Sequence, residues 1–279
     1  MKPYAEVIGD PIAHSKSPLI HTFWLDKLGL AERFAYRKTH VRPGELADFL
    51  AGRRADPLWR GCNVTIPHKE PVAQLVDELD AAKVKAIGAV NTVVPLGVGR
   101  LLGTNTDVDG VGEAVAAARL DGRAAVVLGA GGAGRAAFAW LKQAGCADVR
   151  VMARNAGKAQ AAIAPSGLHA GLFPFAPDSG AFAGAALVIN STQLGMNGQE
   201  PMPAFVLDEL AALAPDALVF DMVYAPLETA LLKAARARGL ATADGLEMLV
   251  GQAATAFEKF FGVAAPRQHD AELRGILTS

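Results

Sequence analysis

At 279 residues the chain is longer than one domain usually is, so two domains are expected, each able to bury its own core. Apolar residues make up 51% of it and the formal net charge is -1, a balance that suits a soluble protein and provides no basic field for a nucleic acid partner. No apolar run approaches the ~20 residues of a membrane span, and Asp10, His14 and Lys16 interrupt the region where a secretion signal needs an apolar core, so a cytoplasmic protein without a membrane partner is expected. Cys62 and Cys146 form no CxxC pattern and the histidines show no zinc spacing, so no metal is expected.

Short apolar runs alternate with helical segments along the chain. "AEVIG" precedes "SPLIHTFWLDKLG", and "GCNVTI" precedes "EPVAQLVDELDAAKVKAIG". "AVNTVV" follows, then "AAVVLG" with "GAGRAAFAWLKQAG", and "DVRVMA" with "KAQAAIA". This rhythm predicts an α/β protein with parallel strands. Ser17, Pro18 and Gly29 read as N-cap, N1 and C′ of one helix, and Pro226 and Gly239 bracket another. "TDVDGVGEAVAAARL" predicts a connector helix ending near Gly122, and "LHAGLFPFAPDSGAFAG" a surface loop. The terminal "GLEMLVGQAATAFEKFF" is an apolar helix with no strand after it, so it could dock on either domain.

Three polar patches occupy the first part of the chain: "HSKS", "NVTIPHK", and "VNTVV" with "NTD". Their hydroxyls, amides, amine and carboxylate suit a small molecule with several hydroxyls and a carboxylate, because each hydroxyl both donates and accepts. Each patch also has a structural explanation: Ser17 as a cap, Asp107 as a cap of the connector helix, Asn91 closing a strand end, Lys69 in water. Their recurrence after successive strands argues for one shared edge, where Lys69 and Asp107 would meet.

Downstream, Gly129, Gly131 and Gly134 form GxGxxG between an apolar strand and a helix, the context a dinucleotide pyrophosphate needs at a helix N-terminus. After the next strand come Ala153, Arg154 and Asn155, with Lys158 nearby, and no carboxylate for a ribose 2′-hydroxyl. A guanidinium there favours the 2′-phosphate of NADP. The strands "AALVIN" and "ALVFDMV" end at Asn190, Thr192, Met222 and Tyr224, which become candidates to border the nicotinamide and the substrate.

Together, "GDPIAHSKSPLIH", "NVTIPHK", "GAVNTV", "NTDVDG", "GAGGAGRA", "DMVYAPLETALL" and "DGLEMLVGQAA" resemble the shikimate dehydrogenase family in order and spacing, over nearly the whole chain. The resemblance implies a substrate domain of residues 1–110 with 246–279, an inserted NADP-binding Rossmann domain of residues 111–245, and a cleft between them. It implies reversible NADPH-dependent reduction of 3-dehydroshikimate to shikimate, a step towards chorismate and the aromatic amino acids. Lys69 and Asp107 would be the catalytic pair, and Ser15, Ser17, Asn63, Thr65, Asn91, Tyr224 and Gln252 would surround the substrate. Gly129, Ala130, Gly131, Gly132, Ala133, Gly134, Arg154, Asn155, Lys158, Thr192, Met222 and Gly245 would hold NADP. The expected assembly is a monomer or homodimer.

Two positions depart from the family pattern: Ala153-Arg154-Asn155 stands where Asn-Arg-Thr is common, and Glu247 replaces a small residue. The alternatives are a quinate/shikimate dehydrogenase with relaxed substrate and cofactor use, and a non-catalytic NADP-binding sensor. The paired serines of "HSKS" and Arg154 argue against the first; Lys69 together with Asp107 argues against the second.

Overall fold

The first strand, β1 (Tyr4–Gly9), is buried along its whole length because it runs between two parallel neighbours, β2 (Ala35–His40) and β3 (Trp59–Val64). That position selects a near-continuous apolar run. Its one charge, Glu6, is enclosed and fully partnered: Arg53 Nε donates at 2.7 Å, the Trp59 indole N–H at 2.8 Å, and the Thr39 hydroxyl also donates. The computed structural model describes residues 1–279, and the chain divides into one unit of Met1–Thr106 with Gln252–Ser279 and a second of Asp107–Gly251.

In the first unit, α1 (Ser17–Lys27) and α2 (Leu46–Arg54) connect the parallel strands. A short strand β4 (Glu78–Leu79), a helix α3 (Ala81–Ile87) and a hairpin of β5 (Thr92–Gly97) and β6 (Arg100–Thr104) complete it. The strand order is β2-β1-β3-β5-β6-β4, with β5 antiparallel to both β3 and β6. The ends of β1, β3 and β6 and the start of β5 therefore share one edge of the sheet.

Two local expectations for this unit need correction. The stretch "EPVAQLVDELDAAKVKAIG" is not one helix: a 3-10 turn (Pro71–Gln74), β4 and α3 divide it, because Asp77 accepts the Leu101 N–H at 2.7 Å and β4 pairs with β6. Tertiary pairing here overrides helix propensity. In α1 the N-cap is Lys16 and Ser17 already lies inside the helix; it is Ser15 Oγ that accepts the Ser17 N–H, at 3.3 Å. Gly61, at φ 133, is required where β3 meets Phe260, since a Cβ would lie 2.7 Å from that ring.

The second unit opens with α4 (Asp107–Ala114), which stops well before Gly122. Gly110 and Gly112 weaken it, and the chain beyond continues in turns. The succeeding elements are β7 (Ala125–Leu128), α5 (Gly132–Gln143), β8 (Val149–Ala153), α6 (Ala156–Ile163), β9 (Gly171–Pro174) and β10 (Leu187–Asn190). Then come α7 (Ala204–Glu209), β11 (Leu218–Asp221), α8 (Ala230–Ala237) and β12 (Ala241–Asp244). All strand pairs are parallel, and the order β9-β8-β7-β10-β11-β12 is the doubly wound 3-2-1-4-5-6 arrangement. The strand β9 corrects the reading of residues 168–184 as only loop; Pro174 ends this edge strand, where a missing N–H costs no ladder bond. The helix α8 begins at Ala230 and not at Pro226, because the Thr229 hydroxyl caps it by accepting the Leu232 N–H at 3.3 Å.

Helix α9 (Gly245–Phe261) carries the chain from the second unit back into the first, where α10 (Asp270–Thr278) follows. Its later turns put Phe257 edge-on to Trp24, 5.4 Å between ring centroids, and Phe260 beside Tyr36. No helix is long and apolar enough to cross a membrane.

Candidate active site

The shared edge of the first unit carries a continuous buried chain of polar side chains. The Tyr36 hydroxyl donates to Asn63 Oδ1 at 2.6 Å, Asn63 Nδ2 donates to Thr92 Oγ1 at 3.2 Å, and Thr92 Oγ1 donates to Asn91 Oδ1 at 2.9 Å. Asn91 Oδ1 also accepts the Thr106 N–H at 2.8 Å, and Thr106 Oγ1 donates to Gln252 Oε1 at 3.2 Å. Burial raises the Tyr36 phenol well above its ordinary value, so it stays a donor and fixes the Asn63 amide. The His21 ring stacks on Tyr36 at 4.0 Å between centroids; burial, opposed by Asn63, lowers its pKa to about 3, so it packs as a neutral ring. Buried networks of this kind are rigid when every member is partnered.

Three expected substrate residues, Asn63, Asn91 and Gln252, belong to this chain; Thr65 and Ser15 lie on loops at the same edge, and Ser17 opens α1. The "NVTIPHK" loop is tied down from several sides. The Thr65 N–H bonds Ile8 O at 3.0 Å, the Ile66 carbonyl accepts from Asp10 N at 2.9 Å, and the buried His68 ring meets Val41 O at 2.6 Å. The carbonyl of Lys69 itself accepts from Val90 N at 2.8 Å. Lys69 is half-buried on an anchored turn, not a residue of a loose loop. Gly9 keeps the two loops close: a Cβ there would lie 2.5 Å from Thr65 Cγ2.

In the second unit, Asp107 opens α4 and follows Thr106 directly; a carboxylate in the first turn suits the helix dipole. The fingerprint glycines have distinct roles. Gly129, at φ 89, has Thr192 Cγ2 where a Cβ would come within 2.6 Å, and a Cβ on Gly134 would reach Ser191 Oγ at 3.0 Å. Gly131 and Gly132 face open space, Ala133 is exposed, and α5 has no side-chain cap, so its first-turn N–H groups remain for an anion. Ala130 lies between them, half-buried. Such a cradle fits a pyrophosphate.

Arg154 is 81% exposed and only loosely paired with Glu200, at 3.9 Å, so its guanidinium is available at the end of β8. Asn155 has a structural duty: its Oδ1 caps α6 by accepting the Lys158 N–H at 2.9 Å, and Lys158 projects from the exposed first turn. Gly245 is explained by packing, since a Cβ would collide with the Met222 carbonyl. Met222 is half-buried and Tyr224 is 47% exposed on the loop after β11. Glu247 faces outward and closes a capping box, accepting the Asp244 N–H at 3.4 Å while Asp244 accepts from Leu246 N at 3.0 Å.

Asn190, expected at the ligand, is instead fully buried beneath the loop that carries Thr192. Its Oδ1 accepts from Thr192 N at 3.0 Å and from Thr192 Oγ1 at 2.7 Å, and its Nδ2 donates to Asp221. Asp221 also accepts from Val223 N and from the Thr229 hydroxyl. Sequence reasoning missed Tyr36, Thr92, Thr106, Ser191 and Asp221. Thr92, Thr106 and Asp221 lie inside the quoted stretches "VNTVV", "NTD" and "DMVYAPLETALL" and could have been given roles there; Tyr36 lies in a strand that carries no motif.

Residues 7–93 match the shikimate dehydrogenase substrate binding domain family and residues 245–272 the shikimate 5'-dehydrogenase C-terminal domain family. A shikimate dehydrogenase (NADP(+)) of Sphingopyxis alaskensis is 49% identical, covering 99% of this chain and 97% of that one. The shikimate 5-dehydrogenase of Thermus thermophilus, solved with NADP(H) and shikimate, superposes with a TM-score of 0.82 at 34% identity, over 98% of this chain and 99% of that one. A quinate dehydrogenase of Corynebacterium glutamicum, solved with NAD, superposes with a TM-score of 0.85 at 30% identity and covers 99% of each chain.

Proposed function

Because the chain belongs to the shikimate dehydrogenase family, we propose that it reversibly reduces 3-dehydroshikimate to shikimate with NADPH, a step of aromatic amino acid biosynthesis. The observation that carries this reading is the 49% identity, over 99% of the chain, to an NADP(+)-dependent relative. Residues 1–110 with 246–279 act as the substrate domain and residues 111–245 as the NADP domain.

NADPH, when bound, supplies the hydride. Lys69 stabilises the alkoxide character that develops at the substrate carbonyl oxygen and delivers the proton to it. Asp107 orients the Lys69 ammonium. Ser15, Ser17, Asn63, Thr65, Asn91, Tyr224 and Gln252 hold the substrate hydroxyls and carboxylate; the Tyr36–Thr92–Thr106 side chains keep the amides in one orientation, so little is lost in ordering them on binding. The N–H groups at Gly131–Gly134 bind the pyrophosphate, Arg154 and Lys158 the 2′-phosphate, and Thr192, Met222 and Gly245 border the nicotinamide end. The protein acts in the cytoplasm as a monomer or homodimer.

Initial rates with shikimate and quinate, each with NADP and NAD, test the reading. The expected result is turnover dominated by shikimate with NADP. Comparable turnover of quinate with NAD would overturn the narrow specificity, and absence of turnover in all four pairs would overturn the enzymatic role.

A further inference from the structure

A pocket of about 420 Å³ opens in the first unit where β3 and β6 begin and β5 ends. The candidate substrate residues lie at the opposite edge of the same sheet, roughly 20 Å away along six-residue strands. Most charges around the pocket are already matched. Arg53 pairs with buried Glu6, Arg54 with Asp77, and Arg100 with Glu78. Asp56 accepts from the Tyr4 hydroxyl and the Leu58 N–H, both at 2.8 Å, and faces the cations Arg53 and Arg37. Arg60 lines the pocket, half-buried, and its side chain makes no ion pair or hydrogen bond.

The remaining wall is apolar, formed by Pro57, Pro95 and Val98. Val98 is at φ 49, a conformation that costs a β-branched residue energy, and it is fully exposed at the hairpin tip. Arg54 holds the next carbonyl, Gly99 O, at 2.6 Å. The two-residue turn between β5 and β6 itself requires positive φ at Val98 and Gly99, and it leaves Val98 exposed at the pocket rim.

We propose that this pocket binds a small monocarboxylate with a compact apolar body, the carboxylate held bidentately by Arg60 and the body resting on Pro57, Pro95 and Val98. With one unmatched guanidinium, the site suits a singly charged carboxylate better than a phosphate dianion. It is separate from the proposed catalytic site and does not depend on the reaction assigned there.

Benzoate is a suitable probe, followed through the indole N–H resonances of the full chain, of which Trp59 lies in the pocket wall while Trp24 and Trp140 do not. The expected result is a saturable shift of the Trp59 signal alone. Arg60→Gln should weaken the titration about tenfold or more at an unchanged melting temperature, and inorganic phosphate should bind at least about tenfold more weakly than benzoate. Val98→Asp, which tolerates positive φ and adds a negative charge at the rim, should also weaken it and serves if Arg60→Gln folds poorly. An unmoved Trp59 signal, unchanged affinity in these variants, or phosphate binding as tight as benzoate would overturn the proposal.

Discussion

Asn190 Nδ2 donates to the Asp221 carboxylate at 2.9 Å and so joins the ends of two neighbouring strands, β10 and β11, beneath the loop that carries Thr192. The same carboxylate accepts the Thr229 hydroxyl at 2.7 Å, tying in the N-cap of α8. Two loops expected at the nicotinamide end are thereby set by one buried acid.

That acid gives a pH-dependent prediction. Burial raises the Asp221 carboxyl above its ordinary value, against the lowering effect of its three donors. Between the ordinary value, about 3.9, and the raised one, the folded protein holds a proton that the unfolded chain has lost. Stability from this group is therefore fully present below the ordinary value and falls as pH rises through the folded value. Asp221→Asn removes the titration. Urea unfolding from acid to neutral pH should show the wild type losing stability relative to the variant as pH rises; a constant difference would refute the coupling.

Arg154→Ala should weaken NADP far more than NAD. A bidentate contact to a 2′-phosphate is worth about 1.5 to 3 kcal/mol, or on the order of ten- to a hundredfold in affinity, and its loose contact with Glu200 offers little competition. Binding titrations with both cofactors check this, and equal losses would remove Arg154 from the 2′-phosphate site.

The two serines of "HSKS" should separate in an unexpected way. Ser17 is not the N-cap of α1, so Ser17→Ala should leave thermal stability nearly unchanged, whereas Ser15→Ala removes the oxygen that accepts the Ser17 N–H and should cost up to ~1 kcal/mol. Both variants should raise KM for shikimate while sparing cofactor affinity. Melting curves measured beside steady-state kinetics decide it.

Lys69→Ala should lower turnover by about 10²- to 10⁴-fold with NADP affinity retained, since backbone bonds and the His68 ring hold the loop in place. Asp107→Ala should also lower turnover. If the two act as one unit, the double variant falls little below the worse single one. Single-turnover hydride transfer at saturating substrate measures all four proteins, and additive losses would count against a shared role.

Local chemistry was legible in the sequence wherever a short-range rule governs it. The alternation of apolar runs with helical segments anticipated the α/β architecture, the glycine fingerprint lies between β7 and α5, and the terminal apolar segment is α9 from Gly245 to Phe261. Glycine at positive φ, as at Gly29, Gly129 and Gly239, is likewise a local demand.

Tertiary structure decided what depends on strand order. Pairing of β4 with β6 broke a segment that reads as helix. The chain from Tyr36 through Asn63, Thr92, Asn91 and Thr106 to Gln252 has a last link that spans 146 positions, and Asn190 meets Asp221 across 31. Propensity and turn chemistry act over a few residues, whereas a buried amide takes whichever partner the sheet brings beside it. The identity of many polar residues at the site was thus written locally, but their orientation and mutual support exist only in the folded sheet.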